Sequence, residues 1–268
     1  MSQVIAITRR TIGIKKMVLF FMTSLIHTRA NGVPLERCRL RPAALLPFPN
    51  SGYRPVALRL TLSEKRQLTI YLTQIGIDYY GLFLNGATWP SNGGHQMGYK
   101  LPILFAGLML NNKGMLSIGE LPVNDSSGKA YFQEDGDTFY ISQAEVDITH
   151  SDAWAPDDRA PAVPYETGDI GTPEWGIRHS SVPTQDNFSI DAKYRPINSG
   201  VGAETALAAI ILGLRTTWNH EAFFDYEDRW VATTGIFYTK FAKSMWDKYR
   251  SGASHTVARP TNLRIICN

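Results

Sequence analysis

The stretch WPSNGGHQMGYKLPILFAG (Trp89–Gly107) joins two kinds of sequence that rarely have the same purpose. Its first half holds an indole, paired glycines, a histidine, a tyrosine and a lysine; its second half is apolar. A plain linker needs neither Trp nor His, and a helix built only to fill a core needs no Gly-Gly. The combination reads as a polar-aromatic loop held on a buried helix, the arrangement by which rigid scaffolds carry sites. Pro102 falls where a first helical turn tolerates it. LPILFAGLML (Leu101–Leu110) is apolar all round, which predicts a helix buried on every side.

Upstream, Thr61 and Glu64 have capping-box spacing. Leu68, Tyr71, Leu72, Ile75, Tyr79 and Leu82 recur at three- and four-residue steps, and Gly86 supplies a stop. The period predicts a helix of roughly six turns. Downstream, YFQEDGDTFYIS (131–142) reads as a short hairpin, with Asp135-Gly136 as its turn and Thr138–Ile141 as its better strand. Residues 149–202 are rich in Pro, Gly, Asp and Ser without a sustained period, a length that implies a functional surface. Helices then return at Ala203–Leu212, at a segment capped by Asn219 and running to Val231, and at Ile236–Tyr249. No long heptad and no repeat of 20–50 residues is visible. The expected fold is mainly α, with helical hairpins joined by long polar-aromatic loops and a small β-hairpin.

Composition places the chain among folded proteins, with 44% apolar and 19% charged residues. The net charge of +3 conceals an asymmetry. Residues 1–60 hold ten Lys/Arg and one acid; the remainder holds 17 bases and 23 acids. A basic arm for nucleic acid is one reading, but its arginines lack interleaved aromatics and helical spacing, so no nucleic-acid partner is expected. Export explains the charge better. Arg9, Arg10, Lys15 and Lys16 precede the apolar MVLFFMTSLI (Met17–Ile26), and small Ala30 follows, the order of a secretory signal. The run is too short for a stable membrane span, which needs about twenty residues. The expected organisation is a signal over 1–30, an irregular lead-in over 31–58, a helical domain over 59–252 and a tail over 253–268. The expected location is secreted or periplasmic. Cys38 and Cys267 form no CxxC or metal-spaced set, which excludes a cysteine-based zinc site.

Four clusters mix aromatic and polar groups: Trp89, Asn92, His95, Tyr99 and Lys100; Glu174, Trp175, Arg178 and His179; Tyr194 and Arg195; and WNHEAFFDYEDRW (218–230), with Trp218, Asn219, His220, Asp225, Asp228 and Arg229. NGGHQMGYKLPILFAGLML, GTPEWGIRH and WNHEAFFDYEDRW together resemble segments of bacterial α/α-toroid proteins, the helical class that includes polysaccharide lyases and some glycoside hydrolases. The resemblance covers about Thr61 to Gly252. Tyr99 stands where that class would carry Arg, and five or six helices are fewer than a full toroid of six hairpins needs. RPTNLRIICN (259–268) is similar to the start of a fibronectin type III module. The resemblance implies the C-terminal portion of a larger toroid acting on a polysaccharide or oligosaccharide.

The chemistry can be set out from the residues. Elimination from a uronic-acid polymer removes a proton α to a carboxylate, so it needs a group to neutralise that carboxylate, a base, and an acid for the leaving oxygen. Asn92, Asn219, Arg178 and Arg195 suit the first role. His95, His179, His220, Tyr99 and Tyr194 suit proton exchange. Trp89, Gly93, Gly94, Lys100, Glu174, Trp175, Trp218 and Asp225 complete the expected substrate contacts, with Gly93-Gly94 bringing backbone close to a sugar. A hydrolase instead needs two carboxyl groups, and Glu174, Asp225 and Asp228 are the acids available. A third reading is a glycan binder that stacks Trp89, Trp154, Trp175 and Trp218 on sugar rings. No cofactor is expected. A divalent metal on His95, His179, His220 and Asp225 would lack any HxH or HExxH pair to support it.

Overall fold

The computed structural model describes residues 62–92, 96–152, 164–176, 195–237 and 239–250. The expected signal, the lead-in, the tail and both cysteines lie outside these residues. The chain divides into two compact units, Met1–Leu72 and Thr73–Asn268. The described part of the first is the opening half of helix α1 (Leu62–Leu84). All the other described elements belong to the second.

Of the described residues, 65% are helical, so helices set the frame and strands only tie it. After α1 come α2 (Lys100–Leu110) and α3 (Lys113–Leu116), followed by a 3-10 turn (Ser117–Glu120). Then come α4 (Gln133–Asp137), strand β1 (Thr138–Tyr140) and α5 (Gln143–Thr149). Strand β2 (Pro173–Trp175) precedes α6 (Arg195–Ile211), α7 (Arg215–Trp218), α8 (Glu221–Thr234) and α9 (Lys240–Tyr249). Among the described residues, no helix is long and apolar enough to cross a membrane.

The helix ends follow local chemistry. Asn112 accepts the Met115 N–H to start α3, Ser142 and Glu145 form a capping box on α5, and Thr239 accepts the Ala242 N–H to start α9. Gly235, at φ +63°, closes α8 in the left-handed conformation. Helix α6 packs mainly on α8, and Ala203, Ala206, Ala208 and Ala209 are all buried. Such small side chains let two helices approach closely. At Gly202 there is no room for a side chain, since a Cβ there would lie 1.9 Å from Glu227 Oε1.

Four expectations need correction. The hairpin with its turn at Asp135-Gly136 is instead helix α4 running straight into β1. The antiparallel partner of β1 is β2, in the register Thr138↔Trp175, Phe139↔Glu174 and Tyr140↔Pro173. Helix α6 begins at Arg195 rather than Ala203, with Pro196 in the first turn, where a missing N–H costs little. Asn219 does not start α8; at φ +58° it ends α7 in the left-handed conformation, and His220 occupies the position before Glu221. Finally, α2 is buried from Lys100 to Gly107, but Leu110 at its far end is exposed.

Candidate active site

All five residues of α4, Gln-Glu-Asp-Gly-Asp, are buried. Three carboxyl groups so close together inside a protein are tolerated only when hydrogen bonds and counter-charge replace water. The replacements come from far along the chain. Glu134 accepts the backbone N–H of Lys100 at 3.1 Å and of Gly98 at 3.2 Å. Asp135 accepts Lys100 Nζ at 2.5 Å through one oxygen and Trp218 Nε1 at 2.7 Å through the other. Lys100 Nζ also donates to the Trp218 carbonyl at 2.8 Å. Asp137 accepts from Ser91 Oγ and from Gln133 Nε2, and Gln133 Oε1 accepts the Gln96 N–H at 3.0 Å. The loop from Trp89 to Lys100 is thus fixed at both ends to α4.

Rings seal this polar seam. Trp89 stacks on Tyr99 at 5.0 Å and on Phe132 at 5.4 Å, and Tyr79 of α1 lies 4.7 Å from Tyr99. Trp218 stacks on Phe223 at 5.1 Å. Lys100 Nζ sits 5.2 Å from the Trp218 ring centre, a distance at which an aromatic face attracts a cation. Burial of each such ring contributes on the order of 1.5–3 kcal/mol.

At the far end of α4, Thr138 donates its hydroxyl to the Glu134 carbonyl at 2.8 Å. His220 Nε2 lies 2.9 Å from Thr138 Oγ1 and 3.0 Å from the Thr138 carbonyl. Burial drives the His220 pKa below the ordinary histidine value, against the pull of Asp135. Burial raises the Tyr99 pKa, with the Glu134 carboxyl adding to the rise. Glu134 itself is pushed up to about 7 by burial and by Asp135. Beside this group, Tyr140 donates to Asp225 at 2.6 Å, and Arg215 bridges Asp225 at 2.8 Å and Glu221 at 2.7 Å.

A second buried carboxylate lies one strand away. Glu174 on β2 is held by Arg195 at 3.4 Å and by Arg229 at 3.3 Å, and it accepts the Trp175 N–H at 2.8 Å. Arg229 also donates to the Pro173 carbonyl. Next to it on α8, the buried Tyr226 hydroxyl meets Ser199 Oγ at 2.8 Å. Asp228 pairs with Arg250.

The structure therefore joins parts of all four sequence clusters. Lys100, Trp218 and His220 meet through Asp135 and Thr138; Glu174 and Arg195 meet directly; β1 beside β2 links the two groups. Several expected roles change. Lys100 is 2% exposed and Arg195 is 0% exposed. Both are engaged with internal carboxylates, so neither faces a substrate. Glu174 is enclosed by its two arginines. Trp89, Trp175 and Trp218 are buried and offer no ring face to a sugar. Asp225 is bound by Tyr140 and Arg215. Asn92 and Asn219 are exposed. Gly93, Gly94, His95, Trp154, Arg178, His179 and Tyr194 lie outside the described residues. Among the described residues, no group of three His, Cys, Asp or Glu side chains is placed to hold a metal ion.

Sequence reasoning missed the whole of α4, together with Thr138 and Tyr140, and it placed Arg229 in the fourth cluster without its partner Glu174. One signal was present. Buried tryptophans usually satisfy their N–H, and QEDGD, flanked by Phe132 and Phe139, is a concentrated supply of acceptors. No family model, curated protein or solved structure matches the chain.

Proposed function

We propose that this chain degrades an acidic polysaccharide by β-elimination, as an exported, α/α-toroid-like helical domain. The observation that supports the reading is that Tyr99 and His220 each interact with the segment Glu134–Thr138. Tyr99 interacts with Glu134 of α4, and His220 bonds Thr138, the residue that follows that helix. Their shifts run in the directions that elimination needs. A lowered histidine pKa keeps the imidazole neutral and basic near pH 7; a raised tyrosine pKa keeps the phenol protonated and able to act as an acid. Exposed Asn219 adjoins His220 and suits the substrate carboxylate.

In the proposed step, the imidazole takes the proton α to the uronate carboxylate. The C–H electron pair becomes a C=C bond, the C–O bond to the leaving sugar breaks, and the departing oxygen takes the Tyr99 proton. Solvent then deprotonates the imidazolium and reprotonates the phenolate. His95, His179 and Tyr194 remain candidates for the same roles. Hydrolysis is less well supported, because Glu174, Asp225 and Asp228 each lie against arginine. Stacking on sugars is less well supported because the described tryptophans are buried.

The test incubates the chain with a panel of uronic-acid polysaccharides and follows the ultraviolet absorbance of unsaturated ends. The expected result is a rising signal that falls about 10²–10⁴-fold in His220→Ala. New reducing ends without that absorbance would favour a hydrolase. Retention on an immobilised glycan with no product would favour a binder.

A further inference from the structure

Thr138 presents two oxygens to one nitrogen of His220. Its carbonyl lies 3.0 Å from Nε2 and its hydroxyl 2.9 Å from the same atom. A carbonyl oxygen can only accept, so the hydrogen of that contact belongs to Nε2. The Thr138 hydroxyl already directs its own hydrogen to the Glu134 carbonyl at 2.8 Å, which turns its lone pairs towards the ring. Both oxygens therefore ask for a hydrogen on Nε2. In a neutral imidazole the other nitrogen, Nδ1, then holds the lone pair. Among the described residues Nδ1 has no hydrogen-bond partner.

The surroundings favour the neutral ring. Burial acts against the imidazolium, and Lys100 adds to that effect. Asp135, the hydrogen bond to the Thr138 backbone and Glu221 oppose it, and burial outweighs them. Both carboxylates have hydrogen-bonded partners of their own, however: Asp135 is bound by Lys100 and Trp218, and Glu221 by Arg215.

We infer that Thr138 is a positioning residue that fixes His220 as the Nε2–H tautomer, so that Nδ1 is the nitrogen that takes up a proton. The tautomer rests on the hydrogen-bond geometry alone; the use of Nδ1 in catalysis rests on the elimination reading above. The proton that Nδ1 accepts forms an N–H bond as the substrate C–H bond breaks, and it leaves afterwards to solvent.

The experiment is two-bond ¹H–¹⁵N correlation NMR of the full chain labelled at histidine, above the His220 pKa, with His220→Gln used to assign the signals. The expected wild-type pattern is that of a protonated Nε2 and an unprotonated Nδ1. In Thr138→Val only the carbonyl acceptor remains. The tautomer ratio is then expected to fall roughly two- to tenfold, the value of one hydrogen bond, and Thr138→Ser is expected to restore it. An Nδ1–H pattern in the wild type, or a ratio unmoved by Thr138→Val, overturns the inference. On a cleaved uronate polymer, Thr138→Val should lower kcat with little change in KM, and Thr138→Ser should recover it. Absence of unsaturated product together with the expected NMR pattern overturns the elimination reading and leaves the tautomer in place.

Discussion

An ammonium group that is almost wholly out of water needs its charge and its hydrogens answered at short range, and Lys100 has both. Asp135 supplies the charge at 2.5 Å, and the Trp218 carbonyl supplies a second acceptor at 2.8 Å. Truncating one member of a buried pair leaves an uncompensated charge, which typically costs about 3–5 kcal/mol. Lys100→Ala should therefore destabilise the chain by about that much, seen as a lower urea midpoint. Lys100→Met combined with Asp135→Asn should lose less, because the amide oxygen still accepts from Trp218 while the charge is gone from both sides. A double variant less stable than Lys100→Ala would show that the pair itself, and not the uncompensated charge left on Asp135, dominates. From sequence, Lys100 beside a histidine and an indole invites a substrate contact. Nothing local reveals that its acid lies 35 positions away. Separations of 21 and 82 positions likewise hide Glu174 from Arg195 and Thr138 from His220.

Elements were legible where one face alone determines them. Helix α9 follows from its apolar spacing and α2 from an unbroken apolar run, because neither needs knowledge of what covers it; α1 forms as its spacing predicts, but Tyr71 and Leu82 of that stripe are exposed. Helix α4 was illegible for the opposite reason. Asp-Gly is a strong turn signal, and five polar residues with no apolar stripe cannot hold a helix without the long-range partners that the fold supplies. The left-handed Asn219 belongs to the same class: its side chain suits a helix start as well as a helix end, and the choice depends on how α7 is seated. That seating rests on Gly119, where a Cβ would lie 1.7 Å from the Thr217 carbonyl oxygen. Backbone cannot retreat as a flexible side chain can. Gly119→Ala should force the 3-10 turn away from α7 and cost about 1–3 kcal/mol. Because α7 carries Trp218 and precedes His220, the proposed elimination activity should fall along with stability. A Gly119→Ala variant with an unchanged thermal midpoint would mean that the turn is not held against α7 in solution.

Over the whole molecule, carboxyl groups inside the helical frame give stability a pH dependence whose sign can be worked out. Burial pushes Glu134 and Glu204 up to about 7, and burial holds Glu227, pressed against Gly202, well above the usual carboxylate range. Each therefore keeps its proton in the folded chain at pH values where the unfolded chain has released it. Their contribution to stability is complete below the ordinary glutamate pKa, near 4.5, and declines as the pH rises through about 7. Each tenfold difference in proton affinity between the folded and unfolded chain is worth about 1.36 kcal/mol. Glu227 extends the decline further. His220 opposes them: its lowered pKa makes folding release a proton, so its contribution grows with pH and is complete above about 6.5. Among the described residues, three carboxyls against one imidazole predict a thermal midpoint that falls between pH 5 and pH 8. Glu204 gives the sharpest check, because one of its oxygens accepts the Thr239 N–H and hydroxyl that start α9, while Oε2 has no partner among the described residues. Glu204→Gln keeps the accepting oxygen and cannot ionise, so it should raise the midpoint at pH 8, leave it nearly unchanged at pH 5 and flatten the curve between them. A midpoint that climbs from pH 5 to pH 8, or a slope that Glu204→Gln leaves untouched, would mean that these glutamates are ionised in the folded chain and that their helices admit water.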